Sequence, residues 1–207
     1  MRNKKATTNT PTMLPQVRII GGQWRSRKLD FPQVEGLRPT PDRVRETLFN
    51  WLHTAIPGAH CLDLFSGSGA LGLEALSRGA SDCTFIDIAH PSCNTLRQNI
   101  TKLGCDNATV VQADTISWLG QQQSIAPNAD RSITPQTTAS KFDVVFLDPP
   151  FHKDFCQKAC DVLIEKQLLN ENAFVYIETE RRVDIKVDWT LHREKTAGQV
   201  HYRLYKV

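Results

Sequence analysis

The run Phe142-Asp143-Val144-Val145-Phe146-Leu147-Asp148-Pro149-Pro150-Phe151 decides how the rest of the chain is read. Up to Leu147 it is largely apolar, with the length and composition of a strand buried in a parallel sheet. Two consecutive prolines then end it, because each lacks an N–H and has a fixed φ. The chain must leave the sheet at its carboxyl edge carrying a carboxylate, a stiff turn and an aromatic ring. Open α/β sheets bind their ligands at that edge. Asp148, Pro149, Pro150 and Phe151 are therefore the candidate reaction centre.

The same alternation spreads outward from this strand. Residues 60–65, 83–87 and 108–112 read as strands, and residues 70–78 and 92–103 as helices, each helix followed by a glycine stop at Gly79 or Gly104. Downstream, residues 154–165 read as a helix and 173–178 as a strand. Residues 189–194 and 200–205 read as an antiparallel hairpin about Gly198. Strands alternating with helices predict an α/β fold, a doubly wound and mostly parallel seven-stranded sheet, with the hairpin as its antiparallel edge. Residues 120–140 are rich in Gln, Ser, Thr, Asn and Pro and read as a flexible insertion without an assigned role.

A chain of 207 residues holds one well-buried domain and a small appendage. Its 40% hydrophobic and 23% charged content is that of an ordinary globular protein. No apolar run reaches the length of a membrane span, and the polar, basic N-terminus lacks the apolar core of a secretory signal. The six cysteines form no C-x-x-C pair and several sit inside apolar runs, which predicts packing rather than zinc, no metal site, and a cytoplasmic location.

The net charge of +3 is divided unevenly. Residues 1–45 hold ten Lys/Arg against three acids, a net of +7, whereas the remainder has fifteen against nineteen, a net of −4. Residues 1–16 read as a disordered tail, 17–56 as a basic extension and 57–207 as the main domain. Within the extension, residues 17–29 predict a β-hairpin turning at Gly21-Gly22. Trp24 beside Arg25, Arg27 and Lys28 suits phosphate contacts with stacking on an exposed base; the alternative is an ordinary hairpin with a core tryptophan. The segment from Arg38 opens a helix, with Thr40 as its N-cap and Pro41 at the first helical position. Arg38, Arg43 and Arg45 fall off that helix's apolar stripe, where they could meet a carboxylate or phosphate.

Gly67-Ser68-Gly69-Ala70-Leu71-Gly72 matches G-x-G-x-x-G between a strand and a helix, and Asp87 ends the next strand. That context satisfies the dinucleotide fingerprint. Asp63 argues for a different cofactor, because an extra carboxylate four residues ahead of the loop would repel a pyrophosphate. S-adenosylmethionine carries no phosphate, and its sulfonium and amino group would be attracted. Asp63, Phe65, Gly67, Gly69, Asp87, Ile88 and Asp114 are the candidate cofactor residues, with helix capping the alternative for Asp114.

The tetrad Asp148-Pro149-Pro150-Phe151 resembles the catalytic motif of amino methyltransferases, which methylate an exocyclic nitrogen of a base. A closer likeness covers the chain from about residue 17. Arg18-Ile19-Ile20-Gly21-Gly22-Gln23-Trp24-Arg25, Leu37-Arg38-Pro39-Thr40 through Arg43-Val44-Arg45-Glu46-Thr47-Leu48-Phe49-Asn50-Trp51-Leu52, the loop continuing as Leu73-Glu74-Ala75-Leu76-Ser77-Arg78, and Leu191-His192-Arg193-Glu194-Lys195-Thr196-Ala197-Gly198-Gln199-Val200 are similar to the RsmD family. The resemblance implies a Rossmann-like, class I S-adenosylmethionine-dependent methyltransferase. It implies methylation of N2 of a guanine in 16S rRNA, within the small ribosomal subunit or an assembly intermediate; separately, the chain is expected to act as a monomer. The basic hairpin and the 38–45 segment would then grip rRNA and close over the cofactor. Ser66 stands where the family has alanine. A DNA adenine-N6 methyltransferase and a non-catalytic RNA-binding assembly factor are the competing readings; the first would need a large target-recognition region that this chain lacks.

Overall fold

A computed structural model describes residues 14–34, 39–122, 141–150, 154–180 and 183–207. In chain order the elements are β1 (Gln16–Arg18), β2 (Lys28–Asp30), α1 (Asp42–Trp51), β3 (His60–Leu64), α2 (Ala70–Ser77), β4 (Asp82–Asp87), α3 (His90–Leu103), β5 (Ala108–Gln112), α4 (Thr115–Gln121), β6 (Phe142–Leu147), α5 (Phe155–Glu165), β7 (Leu169–Glu180), β8 (Thr190–Ala197) and β9 (Val200–Lys206). Seven strands form one sheet in the order β5-β4-β3-β6-β7-β9-β8, and β1 and β2 form a separate two-stranded sheet. Strands β3 to β7 run parallel, while β9 lies antiparallel between β7 and β8. The C-terminal hairpin therefore enters the sheet by its second strand, and its first strand becomes the edge.

Side chains alternate across a strand with period two, so the core divides by parity. Cys61, Phe85, Val144, Phe146 and Tyr176 share one cluster with α1, α2 and α3. Leu62, Leu64, Val145, Leu147, Val175 and Ile177 share the other with α4 and α5. The parity has a consequence at the carboxyl edge. Asp63 follows Cys61, Asp148 lies two residues beyond Phe146, and Glu178 two beyond Tyr176. All three continue the α1–α3 side of the sheet.

The basic extension is built into that same side. Val17, Ile19, Trp24 and Leu29 belong to one core with Val44, Leu48 and Phe49 of α1 and the strands beneath. Phe49 packs on Phe146 with ring centres 6.0 Å apart, and Trp51 stacks on Tyr202 at 5.6 Å. Glu74, buried in α2, accepts the backbone N–H groups of Ile20 and Gly21 at 2.8 Å each. Its carboxylate also pairs with Arg78 at 2.7 Å and with the buried Arg45 at 3.5 Å. Ser77 takes the N–H groups of Gln23 and Trp24. The hairpin is thus fixed to helices, not swung out as an arm.

Three local expectations are corrected. Gly21-Gly22 is not the hairpin's turn, since β1 and β2 are joined by residues 19–27. Gly22 sits at φ +75° where a Cβ would lie 1.7 Å from the Ser77 carbonyl oxygen, so glycine is there for close approach to α2. Thr40 does not cap α1; Pro41 occupies that position with ψ 147° and offers no side-chain cap. Residues 115–121 form a helix, so Gly120 and Gln121 belong to α4 and not to an insertion. The remainder of that expected insertion, the tail up to Met13, Arg38 and Phe151 lie outside the described residues.

Candidate active site

Asp148 leaves β6 half-buried, followed by a buried Pro149 and an exposed Pro150. Thr40, from the segment ahead of α1, donates its hydroxyl to Asp148 Oδ2 at 3.2 Å. Glu178 continues β7 beside it, almost wholly buried at 4% exposure, and accepts the Tyr176 hydroxyl at 2.8 Å. Burial pushes the Asp148 carboxyl up to about 6, a rise that the Thr40 hydrogen bond partly offsets. Burial and then the charge of Asp148 push Glu178 up to about 8. Thr40, Tyr176 and Glu178 were not among the sequence candidates. Glu178 carried a legible signal, an acid at the carboxyl end of a buried strand, while the capping pattern concealed Thr40.

The glycine loop follows β3. Phe65 opens it at φ 63°, a strained conformation for a bulky residue, with its ring 5.3 Å from that of Phe155. The N–H groups of the loop's three glycines are already occupied by the protein's own acceptors. Gly67 donates to Asp87 Oδ2 at 2.7 Å, Gly69 to the Ser66 carbonyl at 2.7 Å, and Gly72 to Asp63 Oδ2 at 2.9 Å. Asp87 also accepts from Ala89 N–H at 2.7 Å. Gly72 has no room for a side chain, because a Cβ would lie 2.2 Å from the Phe85 ring, which fixes α2 close against β4. Ser66, the departure noted in the sequence, bonds the carbonyls of Asp63 and Ile86 and ties the ends of β3 and β4 together.

These contacts discriminate between cofactors. A pyrophosphate is cradled by free loop amides, whereas two of these amides hold carboxylates. Asp63 is buried and its carboxyl is raised well above the usual range, by burial first and then by the charges of Asp148 and Asp87. Such clustered acids disfavour a polyanion and favour a cation. The arrangement fits S-adenosylmethionine, a sulfonium with an α-amino group. Asp63, only 3% exposed, holds the loop through the Gly72 N–H and is out of reach of a direct contact. Asp87 keeps spare lone pairs for hydroxyl donors. Ile88, 68% exposed next to Asp87, offers an apolar shelf at the same edge. Asp114 lies at the end of β5 and caps α4 by accepting from Ser117 N–H at 2.9 Å, which lowers its carboxyl below the usual range.

The expected RNA-contact residues divide. Arg25, Arg27, Lys28 and Arg43 are exposed. Trp24 and Arg45 are not, at 8% and 1% exposure. Trp24 packs in the core, so the alternative reading of that tryptophan holds. Arg45 is spent on Asp42, on Glu74 and on the carbonyls of Arg18 and Thr40. The hairpin also does not lie over the cofactor loop. Its turn rests on Ser77 at the far end of α2, and Arg27 reaches the carbonyl of Lys102 at the end of α3. Both helix ends lie toward the amino edge of the sheet.

A cleft of about 710 Å³ opens beside the tetrad, with Pro149, Pro150, Asp154, Gln157, Glu178 and Ile185 in its wall. A second concavity, about 430 Å³ around Thr54, Pro57, Gly58 and Asn172, lies at the amino edge, away from every candidate catalytic group. Among the described residues no cluster of His, Cys, Asp or Glu could hold a metal, and no helix is long and apolar enough to cross a membrane. All six cysteines are buried free thiols.

The family model described as Conserved hypothetical protein 95 matches residues 17–206. The chain is 45% identical over 194 residues to Ribosomal RNA small subunit methyltransferase D of Escherichia coli, covering 92% of this chain and 90% of that one. It is 44% identical over 201 residues to the Haemophilus influenzae protein of the same name, covering 95% and 97%. The solved structure of Escherichia coli yhhF superposes with a TM-score of 0.79 at 45% identity, over 93% of this chain and 98% of that one. The fold is that of class I S-adenosylmethionine-dependent methyltransferases. Because the likeness runs from the basic hairpin to the last strand, and so takes in every carboxylate at the sheet edge, the chain belongs to the ribosomal RNA small subunit methyltransferase D family.

Proposed function

We propose that the protein methylates the exocyclic N2 of a guanine in 16S rRNA, using S-adenosylmethionine. The observation that carries this reading is Asp148 with its two prolines, set beside the carboxylate-held glycine loop at one edge of the sheet. An aryl amine is a weak nucleophile because its lone pair is delocalised into the ring. S-adenosylmethionine, when bound, supplies an electrophilic methyl group. Asp148 and the Pro149 carbonyl accept the two amine hydrogens, which lets the nitrogen pyramidalise and direct its lone pair. The prolines hold that carbonyl without rotational freedom, so orientation is paid in advance. As the amine nitrogen takes up the methyl group, its surplus proton would pass to the Asp148 carboxylate that already accepts one of its hydrogens. Phe151 serves as a stacking surface for the extruded base.

Arg25, Arg27, Lys28 and Arg43 supply phosphate contacts on a broad footprint that runs from the reaction edge along α2. The enzyme acts as a monomer in the cytoplasm, on the small ribosomal subunit or an assembly intermediate. The test is methyl transfer from labelled S-adenosylmethionine to small-subunit particles lacking the modification, followed by nucleoside analysis. N2-methylguanine is the expected product. Label on adenine N6, or transfer to duplex DNA in place of rRNA, overturns the reading.

A further inference from the structure

Residues 191–200, the last stretch that marks the family likeness, take no part in the chemistry at the double proline. Strand register nevertheless carries them into line with it. Leu147 of β6 faces Ile177 of β7, so Asp148 comes level with Glu178. Glu178 faces Tyr202 of β9, and Tyr202 faces Lys195 of β8. Residues directly opposite one another share a face of the sheet. Asp148, Glu178, Tyr202 and Lys195 thus form one row on the α1 side. With about 4.8 Å between neighbouring strands, Lys195 stands about 14 Å along that row from Asp148. Tyr202 is buried beneath Trp51 of α1, so the row has the reacting carboxylate at one end and an exposed lysine at the other.

An irregularity in the strand is what puts a cation there. Against β9, β8 carries one extra residue between Leu191 and Arg193, a bulge whose His192 ring packs edge-on to Phe174 at 5.4 Å. Side chains alternate with period two, so an extra residue moves everything after it to the other face. Continued from Leu191 and Tyr205 without the bulge, the pairing would set Glu194 opposite Tyr202 and send Lys195 to the far face. With the bulge, Arg193 faces Leu204 and Lys195 faces Tyr202, both on the α1 side. Glu194 takes the far face and pairs with His201 at 2.8 Å. Both cations are exposed. Among the described residues Lys195 has no hydrogen bond or ion pair, and the Arg193 guanidinium donates only to the His192 carbonyl, at 2.9 Å. Beyond the row β7, β9 and β8 run on to Glu180, Val200 and Ala197, so the hairpin stands as a lip above the level of Asp148. Arg43, exposed in the first turn of α1 after Thr40, lies at the same edge.

We propose that the bulged C-terminal hairpin is a second nucleic-acid contact, in which Arg193 and Lys195 hold phosphates of the rRNA strand flanking the base delivered to Asp148. The proposal rests on the rRNA substrate proposed above. A strand leading away from an extruded base carries a phosphate at every nucleotide. Cations a short way along the same sheet face fix its direction without reading its sequence. The bulge sets that direction by choosing the face the cations take.

Binding of small-subunit particles at several salt concentrations tests this. Replacing Arg193 and Lys195 together by alanine should lower the slope of log affinity against log salt by roughly one to two, close to one per phosphate. It should also raise KM for the particles more than it lowers kcat. Exchanging the charges, Glu194→Lys with Lys195→Glu, keeps the net charge but moves a cation to the far face, and should lower the slope by about one. An unchanged slope in the alanine variant overturns the contact. An unchanged slope in the exchange variant overturns its assignment to the α1 side. A photoreactive group attached at Lys195→Cys should cross-link to rRNA near the methylated guanine; cross-linking to ribosomal protein alone overturns the choice of partner. If the native protein transfers no methyl group to rRNA, the assigned reaction fails. Transfer intact with slope and KM unmoved in the alanine variant refutes the hairpin contact alone.

Discussion

Asp148 is asked to be an anion in a setting whose burial opposes its charge, and among the described residues the Thr40 hydroxyl is the group that favours it. Asp148→Ala removes the acceptor for the amine and is expected to lower kcat by about 10²–10³-fold, as loss of a preorganised charge-stabilising group does; single-turnover transfer measures it. Because burial raises Asp148 to about 6, transfer should decline as pH falls through that value, when the acceptor becomes protonated. Stability, unlike transfer, falls as pH rises, and Glu178 contributes to that fall over the wider window. Its folded-state value, about 8, lies above that of the unfolded chain, so the folded protein holds a proton that the unfolded chain has released. That contribution is fully present below the ordinary glutamate range and is lost as pH rises toward 8. Glu178→Gln should therefore flatten the fall in stability over that window, read from denaturant midpoints at several pH values.

The elements around the site are held by a few shared anchors. Glu74, at zero exposure, joins α2 to the hairpin backbone, to Arg45 of α1 and to Arg78, so one carboxylate sets the relation of three elements. Arg45 carries the connection onward to the carbonyl of Thr40, and Thr40 to Asp148. Arg45→Ala breaks a buried pair and is expected to cost about 3–5 kcal/mol of stability, seen as a lower denaturant midpoint. Trp24→Ala is expected to cost about 3–5 kcal/mol by the same measurement, since the ring fills the core between hairpin and sheet. An unchanged midpoint with weakened RNA binding would instead mean that Trp24 meets the base.

At the scale of the molecule, a positive extension is fused to a negative domain, and acids crowd one sheet edge. The exposed cations lie on the outer face and along the hairpin turn. Replacing Arg25, Arg27 and Lys28 together by alanine should reduce the slope of log affinity against log salt by roughly two to three, close to one per lost phosphate contact. Titration of rRNA binding at several salt concentrations measures the slope. The thermal midpoint should hardly move, because none of the three forms an ion pair among the described residues.

The sequence by itself determined the alternation of strands and helices, the sheet's class, the glycine loop and the tetrad. Each is a local matter of period, proline chemistry and strand-end placement. It also determined that a basic segment precedes an acidic domain. It could not say which of the basic and aromatic residues face outward, because burial of Trp24 and Arg45 depends on α2 and the sheet, not on their neighbours in the chain. Nor could it find the Thr40–Asp148 contact. Thr40 and Asp148 are 108 residues apart and meet only because strand parity turns Asp148 toward the segment ahead of α1. Distance along the chain hid that meeting; the tertiary fold decided it.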